Sequence, residues 1–184
     1  MGYTKDMKYV ALLRGINVGG KNMIRMAELK ECLSVAGLEN VATYIQSGNI
    51  LFESDETDKA ALTGVLEKTI TDTFGLNIPA VVLSQQDLEQ VVKNVPKDWL
   101  QNPEWKYNYV FLMPPYDIDD VVASIGTLKP GIESMTVGEG ILYQGMSIKL
   151  FGRTTTGKLA GQPVYKLMTI RNHNTVTKLY EMMK

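Results

Sequence analysis

The sequence predicts an α+β protein that runs twice through the order strand, helix, strand, strand, helix, strand. Apolar runs of strand length, such as Tyr9-Val10-Ala11-Leu12-Leu13, alternate with segments whose apolar residues recur at helical spacing. Glycine, proline and asparagine clusters punctuate them. A second start, Tyr109-Val110-Phe111-Leu112-Met113, echoes the first, and Gly140-Ile141-Leu142-Tyr143 echoes Gly48-Asn49-Ile50-Leu51-Phe52. Such self-similarity points to a duplication.

The elements follow in order. Tyr9 to Leu13 is a buried strand, and Met26, Leu29, Leu33 and Ala36 lie on one face of a helix that Gly37 stops. Val41 to Gln46 and Ile50 to Glu53 form a hairpin through Ser47-Gly48-Asn49. Asp55 is placed to cap a helix carrying Leu62, Val65, Leu66, Ile70 and Phe74; Gly75 and Asn77 end it, and Pro79 to Leu83 is the next strand. This is the βαββαβ order of ferredoxin-like units, antiparallel sheets with helices packed on one face. The expected division is a first half over 1–83, a helical linker over 84–105 and a second half over 106–184. The second half is expected to include a strand from Ser147 to Phe151, a basic loop and a C-terminal helix.

At 184 residues the chain is long enough for one domain or two small packed halves with a real core. No apolar run approaches the roughly 20 residues that span a bilayer, so a membrane role is not expected and a cytoplasmic location is. One cysteine, Cys32, excludes an internal disulfide. With one His and one Cys, a conventional zinc set is not expected, and no metal or cofactor is implied. The net charge of −1 hides a segregation. Residues 1–30 hold six Lys/Arg against two Asp/Glu, residues 147–184 seven against one, and the middle six against seventeen. If the basic ends meet, they form a surface that attracts phosphate or nucleic acid.

The loop Arg14-Gly15-Ile16-Asn17-Val18-Gly19-Gly20-Lys21-Asn22 follows the first strand and is about nine residues longer than its counterpart at Pro114-Pro115. Bare backbone beside fixed positive charge suits an anion. Gly15-x4-Gly20-Lys21 matches a phosphate loop up to Asn22, which replaces the magnesium-binding hydroxyl, and the antiparallel order also argues against a nucleoside-triphosphatase. Gly152-Arg153-Thr154-Thr155-Thr156-Gly157-Lys158 repeats the spacing with donors and no carboxylate, which suits an acceptor-rich partner or an ordinary solvated loop. Arg171-Asn172-His173-Asn174-Thr175 opens the terminal helix, with Asn172 or Asn174 as its cap. His173, the single histidine, has no identified carboxylate or nucleophile beside it, so no complete catalytic set is present.

The runs Ala11 to Lys21, Tyr44-Ile45-Gln46-Ser47-Gly48-Asn49 and Thr169 to Thr175 resemble the bacterial family known as domain of unknown function 1697. The resemblance spans nearly the whole chain and implies a duplicated α+β fold with no assigned activity. Arg14, Asn17, Gly19, Gly20, Lys21, Gln46, Ser47, Asn49, Arg171, Asn172 and Thr175 match the recurring motifs. Members usually carry tryptophan where this chain has His173, which implies a flat ring that packs or stacks there.

The leading expectation is that these three stretches converge in a basic cleft between the halves and bind a phosphate-bearing small molecule or a nucleic-acid backbone. The alternatives are an enzyme acting on a small anionic metabolite, with Arg14, Lys21 and Arg171 orienting it, and a protein-interaction module.

Overall fold

The computed structural model describes residues 7–184. The chain divides into two compact units, one of residues up to Gln90 with Lys178–Lys184 and one of Val91–Thr177.

In the first unit, β1 (Met7–Leu13), α1 (Met26–Val35), β2 (Glu39–Tyr44), β3 (Asn49–Ser54), α2 (Lys59–Phe74) and β4 (Ala80–Ser84) follow in the expected order. The sheet runs β2-β3-β1-β4 and its pairings are antiparallel. Because side chains alternate along a strand, Tyr9, Ala11 and Leu13 share one face. There they meet Leu29 and Leu33 of α1 and Leu62, Leu66 and Ile70 of α2, all buried in one core. Each such leucine contributes about 1.5–3 kcal/mol by leaving water. Gly75, in a left-handed conformation, stops α2. The cap at its start is Asp58, whose carboxylate accepts from the Ala60 N–H, and not Asp55. The run Asp55-Glu56-Thr57-Asp58 offers several capping side chains, and helical backbone begins only after the last of them.

In the second unit, β5 (Trp105–Leu112), α4 (Ile118–Ile125), β6 (Glu133–Gly138), β7 (Ile141–Ser147) and β8 (Met168–Asn172) form an antiparallel sheet of order β6-β7-β5-β8, the same topology. Asp117 caps α4, and Val121 and Ile125 pack with Val110, Leu112, Leu142 and Met168. Where the first unit has its second helix, this one has three short 3-10 turns, at Phe151–Arg153, Thr156–Gly161 and Pro163–Leu167. The expected strand from Ser147 to Phe151 does not form. The β5–β7 ladder ends at the Trp105–Ser147 pair and the β6–β7 ladder at Glu133–Met146, which leaves residues 148–151 without a pairing strand. The remaining helices are α3 (Gln85–Lys93) and α5 (His173–Met183).

The duplication is visible in matched hydrogen bonds. Leu13 N–H donates to the Gly48 carbonyl and Arg14 N–H to that of Pro79; Leu112 N–H donates to Gly140 and Met113 N–H to Leu167. Leu112 therefore corresponds to Leu13, and Met113 to Arg14. The repeat is offset by one residue from the alignment suggested by Tyr9 and Tyr109.

Candidate functional site

The end of the first sheet gathers most of the sequence-predicted residues. From Arg14 the chain turns into a small arm in which Lys21 N–H bonds to the Val18 carbonyl and Asn17 N–H to that of Asn22. Gly19 and Gly20 sit at its tip with φ of +58° and +73°. Two consecutive positive φ values define a two-residue hairpin turn that only glycine, asparagine or aspartate enter readily. The glycine pair is thus explained by this turn. The nucleotide-loop pattern fails here: α1 starts only at Met26, and the sheet is antiparallel.

Asn17 locks the arm in place. Its amide nitrogen donates to the Ile24 carbonyl at 3.0 Å and the Gln46 carbonyl at 2.9 Å, while its oxygen accepts from Ile24 N–H at 2.8 Å. One side chain ties the arm to itself and to the β2–β3 turn, bringing Asn17, Gly19, Gly20 and Lys21 to the same sheet end as Gln46 and Ser47. Asn22 adds a bond to the Gly15 carbonyl. Inside the turn, buried Asn49 donates to the Tyr44 carbonyl and to Ser47 Oγ. Its amide braces the turn, whereas Lys21 and Gln46 are exposed and Arg14 is half-buried. Val18, Met23 and Ile45 are also exposed at this end, Met23 by 67 %. Ile45 holds a φ of +52°, a conformation costly for a β-branched residue. The sequence signal for these apolar side chains is slight: isolated Val, Met and Ile within turn-rich stretches.

Arg171, Asn172 and Thr175 belong to the second unit. Arg171 lies on β8 opposite Tyr109, is buried, and donates from Nη1 to Thr169 Oγ1 and the Ile170 carbonyl. Burial lowers its pKa to about 10, so it stays charged at neutral pH. Asn172 caps α5, its Oδ1 accepting from Thr175 N–H at 2.9 Å. His173 joins an aromatic cluster. Trp99 Nε1 donates to its Nδ1 at 3.1 Å, and its ring stacks on Tyr109 at 15° between planes. Indole N–H only donates, so Nδ1 carries no proton and the imidazole is neutral; burial also lowers its pKa. A packed, stacked ring is what the family resemblance implied at this position.

The second glycine–lysine segment has an internal anion. The Glu133 carboxylate, 5 % exposed, accepts from the backbone N–H groups of Lys129, Thr155 and Thr156 and from the Thr156 hydroxyl, at 2.7–3.0 Å. Burial alone would raise its pKa, but the bonds from Thr156, Thr155 and Lys129 outweigh it and hold the value at about 2. Thr154 and Thr156 are buried. The acceptor expected for these donors therefore lies within the chain itself. Among the described residues, no group of three His, Cys, Asp or Glu side chains is placed to hold a metal, and no helix is long and apolar enough to cross a membrane.

A repeated antiparallel βαββαβ-type sheet, elaborated by an ordered glycine arm on one copy and a carboxylate-anchored basic segment on the other, defines a duplicated α+β protein of ferredoxin-like halves. The chain belongs to the family described as protein of unknown function (DUF1697), which matches residues 7–143. It is similar to the conserved bacterial protein SP0830 from Streptococcus pneumoniae, at 35% sequence identity over 98% of this chain and 100% of that one, with a TM-score of 0.86. Among curated proteins, none matches.

Proposed function

We propose that the glycine arm and the Gln46–Asn49 turn of the first unit bind a phosphate-bearing ligand, of which a nucleic-acid backbone is the extended form. The observation that carries this reading is the three-bond clamp of Asn17. It holds the arm in one conformation with Lys21 exposed and Arg14 at its base, so little ordering entropy is lost on binding. Arg14, Lys21 and the exposed Gln46 side chain are the groups that meet the ligand; Asn17, Gly19, Gly20, Ser47 and Asn49 fix the backbone that presents them. In the second unit, Arg171, with Asn172 and Thr175 at the start of α5, remains a separate anion-binding candidate.

Thermal unfolding of the full chain with pyrophosphate, nucleotides or short oligonucleotides tests the reading, since a ligand at about 100 times its dissociation constant adds roughly 2.7 kcal/mol. The shift is expected to fall in Lys21→Ala and in Asn17→Ala. No shift with any of the three in the wild type overturns the proposal. The exposed Val18, Met23 and Ile45 favour a second reading, a protein-interaction surface at the same end. In that case binding to a partner survives high salt, whereas phosphate binding weakens with it.

A further inference from the structure

We propose that residues 148–166 of the second unit form a binding site for single-stranded nucleic acid, with Phe151 stacking on a base and Lys149, Arg153 and Lys158 taking the adjacent phosphates. This site lies outside the glycine arm and does not depend on it.

Phe52 and Phe111 are buried, yet Phe151 is 49 % exposed. Its ring is nonetheless held. A Cβ at Gly157 would stand 2.5 Å from the Phe151 carbonyl oxygen and 3.4 Å from ring atom Cε2, so the ring lies against the backbone immediately before Lys158. Thr154 Oγ1 donates to the Phe151 carbonyl at 2.7 Å and accepts from Gly157 N–H at 2.9 Å, closing the segment into a knot. Glu133 pins that knot from within through Thr155 and Thr156. An aromatic face and the neighbouring Arg153 and Lys158 are thereby presented on fixed backbone.

Charge favours the same ligand. From Gly140 to Tyr180 the sequence has no Asp or Glu, while Lys149, Arg153, Lys158 and Lys166 all lie exposed in 148–166. The Glu133 charge is consumed by internal donors. Glu104 pairs with Lys149, but both side chains are largely exposed and the pair is readily exchanged for a phosphate. A base stacks on any flat apolar face regardless of sequence, and cations beside that face meet the phosphates that flank it. Phe151 and the exposed Ile148 make only a narrow apolar patch among these cations, which fits this alternation better than it fits a lipid surface, which rewards a broad apolar face.

The test is fluorescence anisotropy of the full-length protein with labelled dT12 at low salt. The wild type is expected to bind. Phe151→Ala should weaken binding about tenfold or more while Phe151→Trp retains it. Lys158→Ala should reduce the slope of log affinity against log salt by about 0.7, the single-strand value for one phosphate contact. An abasic strand of equal length should bind wild type and Phe151→Ala alike. The proposal is overturned if dT12 does not bind, if Phe151→Ala binds as the wild type does, or if anionic vesicles bind and dT12 does not. Lys21→Ala serves as the comparison: if it abolishes dT12 binding while Phe151→Ala does not, the arm is the site and this one falls.

Discussion

Glu133 takes two hydrogen bonds from the single residue Thr156, one from its N–H at 3.0 Å and one from its hydroxyl at 2.7 Å. With Thr155 and Lys129 on the other oxygen, both carboxylate oxygens are doubly satisfied. Glu133→Gln removes the charge and sets an NH2 group against donors. It should destabilise the protein by about 3 kcal/mol, read as a lower denaturant midpoint. Because folding lowers this pKa from 4.5 to about 2, the stability it supplies is fully present above about 4.5 and is lost as pH falls through about 2. The variant should lack that acid-dependent component; an unchanged acid profile would show that the carboxylate is not held as described.

At the tip of the arm, Gly20→Ala forces a Cβ into a φ of +73° with open space around it, so the cost is backbone strain alone. A loss of about 1 kcal/mol is expected, with faster amide exchange over residues 18–22. Gly20→Asn should be nearly neutral because asparagine tolerates this conformation. Equal losses for both would mean that the turn is not of this type.

His173 is neutral because its Nδ1 accepts from Trp99. Folding lowers its pKa, so the stability tied to it is complete above about 6.5 and declines as pH falls below that value. Its ring proton resonances should titrate below 6.5. His173→Phe keeps a flat ring and leaves the Trp99 N–H without that acceptor. The substitution should cost about 1–2 kcal/mol and remove the decline in stability below about pH 6.5. A midpoint at or above 6.5 would contradict the assigned tautomer.

Most of the architecture was readable from spacing. The strand at Tyr9 to Leu13, the helix of Leu29 and Leu33 and the hairpin around Gly48 each have local signals, namely a continuous apolar run, helical period and a turn glycine. What escaped depends on partners distant in sequence. Nothing near Ser147 announces that its neighbouring strands end where it does. Nothing near Thr155 announces a carboxylate 22 residues earlier, although three adjacent threonines were a sign that donors needed an acceptor. The matching tyrosines Tyr9 and Tyr109 suggest one alignment of the repeats, whereas the register is set by backbone bonds at Leu13 and Leu112, one residue away from it. At the candidate site the cations and glycines were legible. The role of Asn17 was not, because its bond to Gln46 crosses 29 residues.

The matched bonds of Leu13 with Gly48 and of Leu112 with Gly140 give both copies the same socket from which their first connection departs. What is plugged into that socket differs freely: a long glycine arm in one, a short diproline bend in the other. The insert also shares in folding, since Ile16 and Ile24 anchor the two ends of the arm in the core of the first unit. Only the exposed tip between those anchors, residues 18–23, is therefore a cassette, exchangeable while the scaffold underneath keeps its pairing.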